Sequence, residues 1–547
     1  MRPMFPRTLV ATVLWGVFLL IIGSTAFHYI RRYTEKIPSS GGDAPVPAGL
    51  GAVEPAIIKM MRRSGTASVT VAVAKNGRIV WEEGFGWADR ERKIPATPET
   101  AYRIASLTKP FTVTGLMTLV EKGLADLDRP VNDYLEGPGL VAHAGDAHDA
   151  TLRRLVYHTS GLPAYVNIIR NNPSGREPDI DESIREYGIL VTSPGERYCY
   201  SNLGYGIIGH VISRISGRSY SDFMREEVFE PLGMAHTYVL EAPDLEKSTA
   251  RMYDSKGKPI APYDFDHRGA SAILSSARDL VGFGFFHLNE PLPDQARILD
   301  GRTVERMHEE SGATFTDYPG SVKIDYLLGS FARVDYGGYT LHVGTGGMPG
   351  AASRLTLVPS EGLVTVVLCN GEKLDLWEVE KLLLAAMLPG FRDEPGLFGD
   401  SAAAQGDDST SMGANFAAGL EETIAPPDSF AGSWSGSIST SSGPIPVQMA
   451  FSRNGSSGLT LDGFELDGKF LKPIGRRTDL GESGFHDGYF SSVLFGKIGT
   501  GDAARGRHVV MIECRFREGR LTGYAAAVAI DQTFIFPYWM ELRRLAG

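Results

Sequence analysis

Apolar positions along the 547-residue chain change texture three times. The first texture is an unbroken run, Thr8 to Ile30 (TLVATVLWGVFLLIIGSTAFHYI), with no Asp, Glu, Lys or Arg in its 23 residues. About 20 apolar residues span a hydrocarbon core, whereas a signal-peptide core has roughly 7–15. Residues 1–30 are therefore expected to form a membrane anchor; Ser24-Thr25-Ala26 keeps a cleaved signal as the alternative. Residues 31–52, with PSSGGDAPVPAG from Pro38 to Gly49, read as a flexible tether. From Val53 to Pro389 the periods of helix and strand alternate. Ser68–Ala74 and Arg78–Trp81 flank Asn76-Gly77, a two-residue hairpin signal. Ser353–Val358 and Leu363–Cys369 form a second strand pair across Pro359-Ser360-Glu361-Gly362. Val113, Leu116, Met117 and Val120 mark a helix with one buried face, closed by Gly123. Ile207, Ile208, Val211, Ile212 and Ile215 mark another, ended near Gly217. Leu376–Leu388 predicts an amphipathic helix stopped by Pro389-Gly390. Strands at both ends with helices between them predict an α+β domain over 53–389, its sheet joining distant segments.

The third texture begins after a small, polar, aperiodic linker at 390–428. Asn454-Gly455, Asp462-Gly463, Asp467-Gly468 and Asp487-Gly488 punctuate short segments rich in Val, Ile, Phe and Thr. Regular turns between short strands predict a small all-β barrel or sandwich over 429–547. Gly432-Ser433-Trp434 near its start is similar to the glycine-x-tryptophan of lipocalin-like barrels.

Charge removes one class of function. With 54 Lys+Arg against 65 Asp+Glu, the net charge is −11, so the chain lacks the basic surface that displaces counterions from nucleic acid. Cysteine removes others. Cys199, Cys369 and Cys514 are too few and too scattered for a disulfide scaffold or a zinc site built on Cys-x-x-Cys. His-Glu-x-x-His is absent, and no metal or cofactor is expected.

The chemical signal lies in three short stretches. In Tyr102-Arg103-Ile104-Ala105-Ser106-Leu107-Thr108-Lys109-Pro110, the helix that follows places Ser106 and Lys109 three apart at its N-terminus, on one face. Pro110 fits the first turn, where amides lack intrahelical partners. A serine hydroxyl attacks a carbonyl only when a nearby base takes its proton, and an amine one turn away can do so. Ser255-Lys256-Gly257-Lys258 repeats the spacing in a hydrophilic turn with no helix behind it, so context must discriminate. Tyr200 and Asn202 lie in a Pro-Gly-led loop before the second helix, where a phenol can relay protons and an amide can bind a carbonyl. Tyr165-Val166-Asn167 lacks that preceding turn. Gly344-Thr345-Gly346-Gly347-Met348-Pro349-Gly350 lets another group approach the backbone and leaves amides for an oxyanion. His158 is read as a histidine that fixes a loop, since Lys109 already fills the role of base.

In order, these stretches resemble the serine β-lactamase and penicillin-binding-protein superfamily, on its class C-like esterase and peptidase branch. The family pattern is Ser-x-x-Lys, Tyr-x-Asn, then Lys-Thr-Gly or His-x-Gly. Thr151–Leu162, Phe229–Thr237 and Leu124–Tyr134 also look like connecting segments of that branch. The resemblance implies an antiparallel sheet flanked by helices beside a helical subdomain, with a site in the cleft between. It implies Ser106 as acylated nucleophile, Lys109 and Tyr200 sharing acid/base duty, and Asn202 orienting substrate. The oxyanion hole would be formed by the amides of Ser106 and Gly347. Gly344 departs from the pattern: it stands where the family carries lysine or histidine, with Thr345 and Gly346 intact. His342, two residues earlier on the same strand face, is a candidate to fill that space. The expected function is a serine hydrolase of an ester or amide, peptide-like or small. It would be tethered at a bacterial inner membrane, its body periplasmic or otherwise extracytoplasmic. The alternative is a non-catalytic membrane-anchored receptor for cell-wall fragments or β-lactams.

Overall fold

The computed structural model describes residues 36–41, 46–170, 179–240, 249–315, 324–393, 428–454, 458–473, 484–486 and 488–545. The expected anchor at 1–30, part of the tether and most of the linker lie outside these residues. Among the described residues no helix is long and apolar enough to cross a membrane.

Helix α1 (Val53–Ser64) leads into a hairpin of β1 (Ser68–Lys75) and β2 (Arg78–Asp89). Asn76 and Gly77 turn it with φ of 52° and 73°, the left-handed pair that matches the twist of such a hairpin. Then come α2 (Thr108–Glu121), β3 (Val166–Arg170), α3 (Asn202–Ser216) and α4 (Ala277–His287). The chain returns to the sheet with β4 (Ile324–Leu327), β5 (Ala332–Tyr336), β6 (Tyr339–Met348), β7 (Ala351–Val358) and β8 (Leu363–Cys369). Helix α5 (Leu376–Met387) follows, capped by Asp375, which accepts from the Trp377 amide at 2.9 Å.

The strands lie in the order β2-β1-β8-β7-β6-β5-β4, neighbours antiparallel. Val366 stands opposite Ala72, so the first and last parts of this domain meet at the middle of the sheet. One face packs on α1 and α5 through Ile57, Met61, Leu383 and Leu384. The other packs on α4, where Phe283 stacks on Phe111 of α2 at 3.7 Å.

Helix α2 differs from the expected one-sided helix: Thr108 to Leu119 are all buried. Its threonine hydroxyls find acceptors inside. Thr114 donates to Pro110 O at 2.9 Å, Thr118 to Gly115 O at 2.8 Å and Thr112 to Gly269 O at 2.6 Å. A hydroxyl satisfied by backbone removes most of the cost of burial, so the apolar period alone understates how much of the helix is buried.

The C-terminal part is a closed barrel. Its strands are β9 (Gly432–Thr440), β10 (Gly443–Asn454), β11 (Gly458–Leu466), β12 (Lys469–Pro473), β13 (Tyr489–Phe495), β14 (His508–Arg517), β15 (Arg520–Ala529) and β16 (Phe534–Arg544). Each pairs with the next, and β16 pairs back with β9, which removes the open edges. Trp434 is fully buried, donating its indole N–H to Phe430 O at 2.8 Å beneath the Arg544 guanidinium. Asp462-Gly463, expected to be a turn, lies inside β11 at a bulge. There the register shifts opposite Ala450 and Phe451, and the Asp462 carboxylate accepts from Ser452 Oγ at 2.7 Å.

The barrel does not hang free. Strand β16 continues its ladder onto β3, with Phe534 opposite Asn167 and Ile535 opposite Val166.

Candidate active site

Ser106 sits in a 3-10 turn, Ala105–Leu107, that runs directly into α2. Ala105 has φ of 50°, a conformation that costs a non-glycine residue about 1–2 kcal/mol. Hydrogen bonds to both backbone groups of the preceding residue hold it there. The Ile104 amide donates to Ile273 O at 3.1 Å, and Ile104 O accepts from Ser353 Oγ at 2.6 Å.

One helical turn on, Lys109 is 1% exposed. Its Nζ reaches Ser106 Oγ at 3.1 Å, Asn202 Oδ1 at 2.9 Å and Ala270 O at 3.2 Å. All three partners are uncharged. Burial without a counter-charge pushes the amine well below its usual 10.5. The rings of Tyr200 and Tyr205, 4.7 and 5.5 Å from Nζ, pull the other way by favouring the ammonium. Burial is nonetheless the largest cause acting on the amine, and its net effect is to lower it. Desolvation wins.

Tyr200 completes the cluster by donating its hydroxyl to Ser106 Oγ at 2.8 Å. Burial pushes this phenol well above its usual 10, so it stays protonated. Asn202, the first residue of α3, has both ends of its amide engaged: Oδ1 accepts a hydrogen bond from Lys109 Nζ, and Nδ2 donates to Tyr165 O at 2.9 Å. In this state it positions the lysine. The Tyr165-Val166-Asn167 look-alike thus contributes a backbone carbonyl, while its phenol turns away to Asp266. The Ser255 look-alike lies on a surface turn where Asp254 accepts from the amides of Lys256 and Lys258.

Strand β6 supplies the opposite wall. Its pairing with β5 stops at Val343, while its pairing with β7 runs on to Met348, so residues 344–348 have one unpaired edge beside the Ser106 turn. Gly346 makes the approach possible: a Cβ there would stand 2.0 Å from Ile104 O and 2.9 Å from Ser106 N. An oxyanion hole made from the Ser106 and Gly347 amides needs this closeness. Thr345 beside it is exposed.

The space beside Gly344 is not open to His342. A Cβ at Gly344 would meet Leu107 Cδ1 at 2.5 Å and the Phe331 ring at 3.3 Å. His342 does share the face of Gly344, but its Nδ1 lies 2.9 Å from Nδ1 of His308, with the rings stacked at 4.9 Å. Burial pushes it down to about 3. The expectation that this imidazole replaces the missing cation is corrected: two apolar side chains take the place.

His158 fastens the Tyr200 loop. Its Nδ1 accepts from the Ser201 amide at 3.1 Å, its carbonyl accepts from Cys199 at 2.7 Å, and its ring lies 4.4 Å from that of Tyr200. Two contributors were missed. Tyr205, whose hydroxyl donates to Val156 O and accepts from Ser330 Oγ, both at 2.8 Å, was signalled by its position three residues after Asn202 on one helix. The Ala270 carbonyl carries no sequence signal.

Ser106 is thus held between a buried amine and a neutral phenol at the head of a helix, the arrangement that the β-lactamase pattern implied. The β-lactamase family profile matches residues 53–386, and the chain belongs to that family. Protein flp of Staphylococcus aureus (strain N315) is 26% identical over 317 residues, which is 57% of this chain and 61% of that relative. A D-amino acid amidase from Ochrobactrum anthropi SV3, solved with L-phenylalanine amide, is 25% identical with a TM-score of 0.50, covering 62% of this chain and 98% of its own. The octameric penicillin-binding protein homologue from Pyrococcus abyssi shares the fold over 90% of this chain and 100% of its own, at 20% identity and TM-score 0.53.

Gly346→Ala tests the closeness of the two walls. A methyl group inside the Ile104 carbonyl must push β6 away from Ser106. Acylation of Ser106 by a serine-directed probe should fall about 10²-fold, the usual cost of a lost oxyanion donor. An unchanged rate would show that the strand does not serve the nucleophile.

Proposed function

We propose that this protein cleaves a small ester or amide through an acyl-enzyme on Ser106. The observation that carries the reading is the convergence of Lys109 Nζ and Tyr200 OH on Ser106 Oγ, at 3.1 and 2.8 Å. The opposed directions of the two shifts divide the labour. Lys109 is lowered towards the free amine and Tyr200 is raised away from phenolate, so the lysine is the acylation base.

In that mechanism the neutral amine takes the Oγ proton as Oγ bonds to the substrate carbonyl carbon. The resulting oxyanion is held by the amides of Ser106 and Gly347. Tyr200 then gives its proton to the leaving oxygen or nitrogen and is restored from the Lys109 ammonium. Water repeats the path in reverse, leaving the free acid and the starting serine. The neutral amine is the working form, so kcat/KM should rise with pH through the lowered Lys109 value.

Gly344, backed by the buried side chains of Leu107 and Phe331, bears on the substrate. These residues offer no charge to a carboxylate, and β-lactams and peptides ending in a free carboxylate both carry one. The site therefore suits an acyl substrate that is neutral on that side, such as an amino-acid amide or simple ester. Thr8–Ile30 further supports a body held at a bacterial inner membrane and facing the periplasm or other extracytoplasmic space.

A fluorophosphonate probe and a β-lactam, applied to the soluble portion, test the enzyme reading. Wild type and Ser255→Ala should be labelled by the fluorophosphonate, Ser106→Ala should not, and the β-lactam should acylate poorly. A folded wild type that no serine-directed probe labels would instead indicate a receptor. For the location, the full chain should stay with the membrane pellet after alkaline carbonate extraction. Release into the supernatant would contradict an anchor.

A further inference from the structure

The loop that carries Tyr200, Ser193 to Asn202, is gripped by the barrel. Glu196 and Arg197, four and three residues before Tyr200, face Arg515 and Glu513 on β14. Arg515 makes a two-pronged bond to the Glu196 carboxylate, Nη2 to Oε2 at 2.9 Å. Arg197 pairs with Glu513. Between the two pairs lies Tyr489 of β13, which donates its hydroxyl to Glu196 Oε1 at 2.7 Å under the Arg197 guanidinium, 4.0 Å from the ring centre. These groups are 13–25% exposed, sheltered enough for a two-pronged pair to count for more than a surface one.

A second grip supports the other side of the site. The Tyr165 carbonyl that holds Asn202 immediately precedes Val166 and Asn167 of β3, which pair with Ile535 and Phe534 of β16. Arg505 Nη2 adds a bond to Asn167 Oδ1 at 2.7 Å. Both segments that complete the Ser106–Lys109 pair are thus attached to the barrel.

We propose that the barrel is a brace for the active site: Arg515, Glu513 and Tyr489 are positioning residues that set the loop so that Tyr200 meets Ser106. The proposal rests on the serine-hydrolase reading, since it assigns Tyr200 a part in acylation. A displacement of the phenol by about 1 Å is enough to lose its contact with Oγ, and misplacement of that size can cost on the order of 10²-fold in rate.

Cys199, beside Tyr200, reports on the loop independently of catalysis. It is the half-buried thiol, while Cys369 and Cys514 are fully buried, and burial pushes it up to about 11. A released loop exposes this thiol and speeds its reaction with a thiol reagent.

The full chain is compared as wild type, Arg515→Glu and Glu196→Arg/Arg515→Glu. In wild type, a minus and a plus on the loop face a plus and a minus on the barrel. The single variant sets Glu196 against a like charge; the double variant sets two plus charges against two minus charges and is again complementary. Arg515→Glu should modify Cys199 about 10-fold faster and acylate Ser106 about 10-fold more slowly, with KM little changed; the double variant should recover both. If Arg515→Glu does not fold, seen as simultaneous reaction of Cys369 and Cys514, Tyr489→Phe removes only the hydroxyl bond to Glu196. It should move both rates the same way by about 3-fold. Unchanged Cys199 reactivity in the folded variants would overturn the brace. Faster thiol reaction with unchanged acylation would overturn the positioning of Tyr200. Wild type that never acylates, with thiol rates that still respond and recover, would remove the hydrolase reading and leave the barrel's grip standing.

Discussion

The site depends on one buried amine that has no counter-charge. Lys109 is surrounded by a hydroxyl, an amide oxygen and a backbone carbonyl, which can satisfy its hydrogens but not its charge. Had any partner been a carboxylate, the ammonium would be stabilised and useless as a base. Instead the burial of α2 on every side favours the uncharged amine, the form that can accept a proton. The arrangement carries a cost to folding. Because the native pKa lies below the unfolded one, burying the ammonium costs most at low pH. The cost lessens as pH rises through the interval up to the unfolded value.

Around that amine the fold gathers groups from far apart in the chain. Ser106 comes on a turn between strand and helix, Tyr200 and Asn202 on a loop before α3, and Gly346 on the free end of β6. The sheet that brings β6 back runs through the pairing of β1 with β8, so the half that carries Ser106 is built on one continuous sheet. The barrel belongs to the same logic. Its strand pairing with β3 and its charged contacts to the Tyr200 loop reach the groups that surround Lys109.

Much of this was legible in sequence because it rests on local chemistry. Asn76-Gly77 permits only a hairpin turn, and Ser106-x-x-Lys109 ahead of an apolar helix specifies one face. Gly217, left-handed at φ of 68°, ends α3 where the pattern placed it. The misses share a different cause, for they depend on what meets a residue across space. The apolar period of α2 marked one buried face, but its threonines are buried too because backbone carbonyls accept from them. Asp462-Gly463 looked like a turn but serves a bulge. The space at Gly344 looked free for His342, yet Leu107, next to the nucleophile itself, and Phe331 from a loop before β5 already occupy it. Nor could charge counts reveal that Glu196 and Arg197 face Arg515 and Glu513, more than 300 residues later.

The most direct measurement is a titration of the Lys109 amine itself. Heteronuclear NMR of protein labelled at the lysine Cε would follow it, the Lys109 signal assigned by its loss in Lys109→Met. A midpoint well below 10.5 is the expected result. A midpoint at or above 10.5, together with the surface lysines, would mean an amine that stays charged beside Ser106, and the basis for an activated serine would be gone.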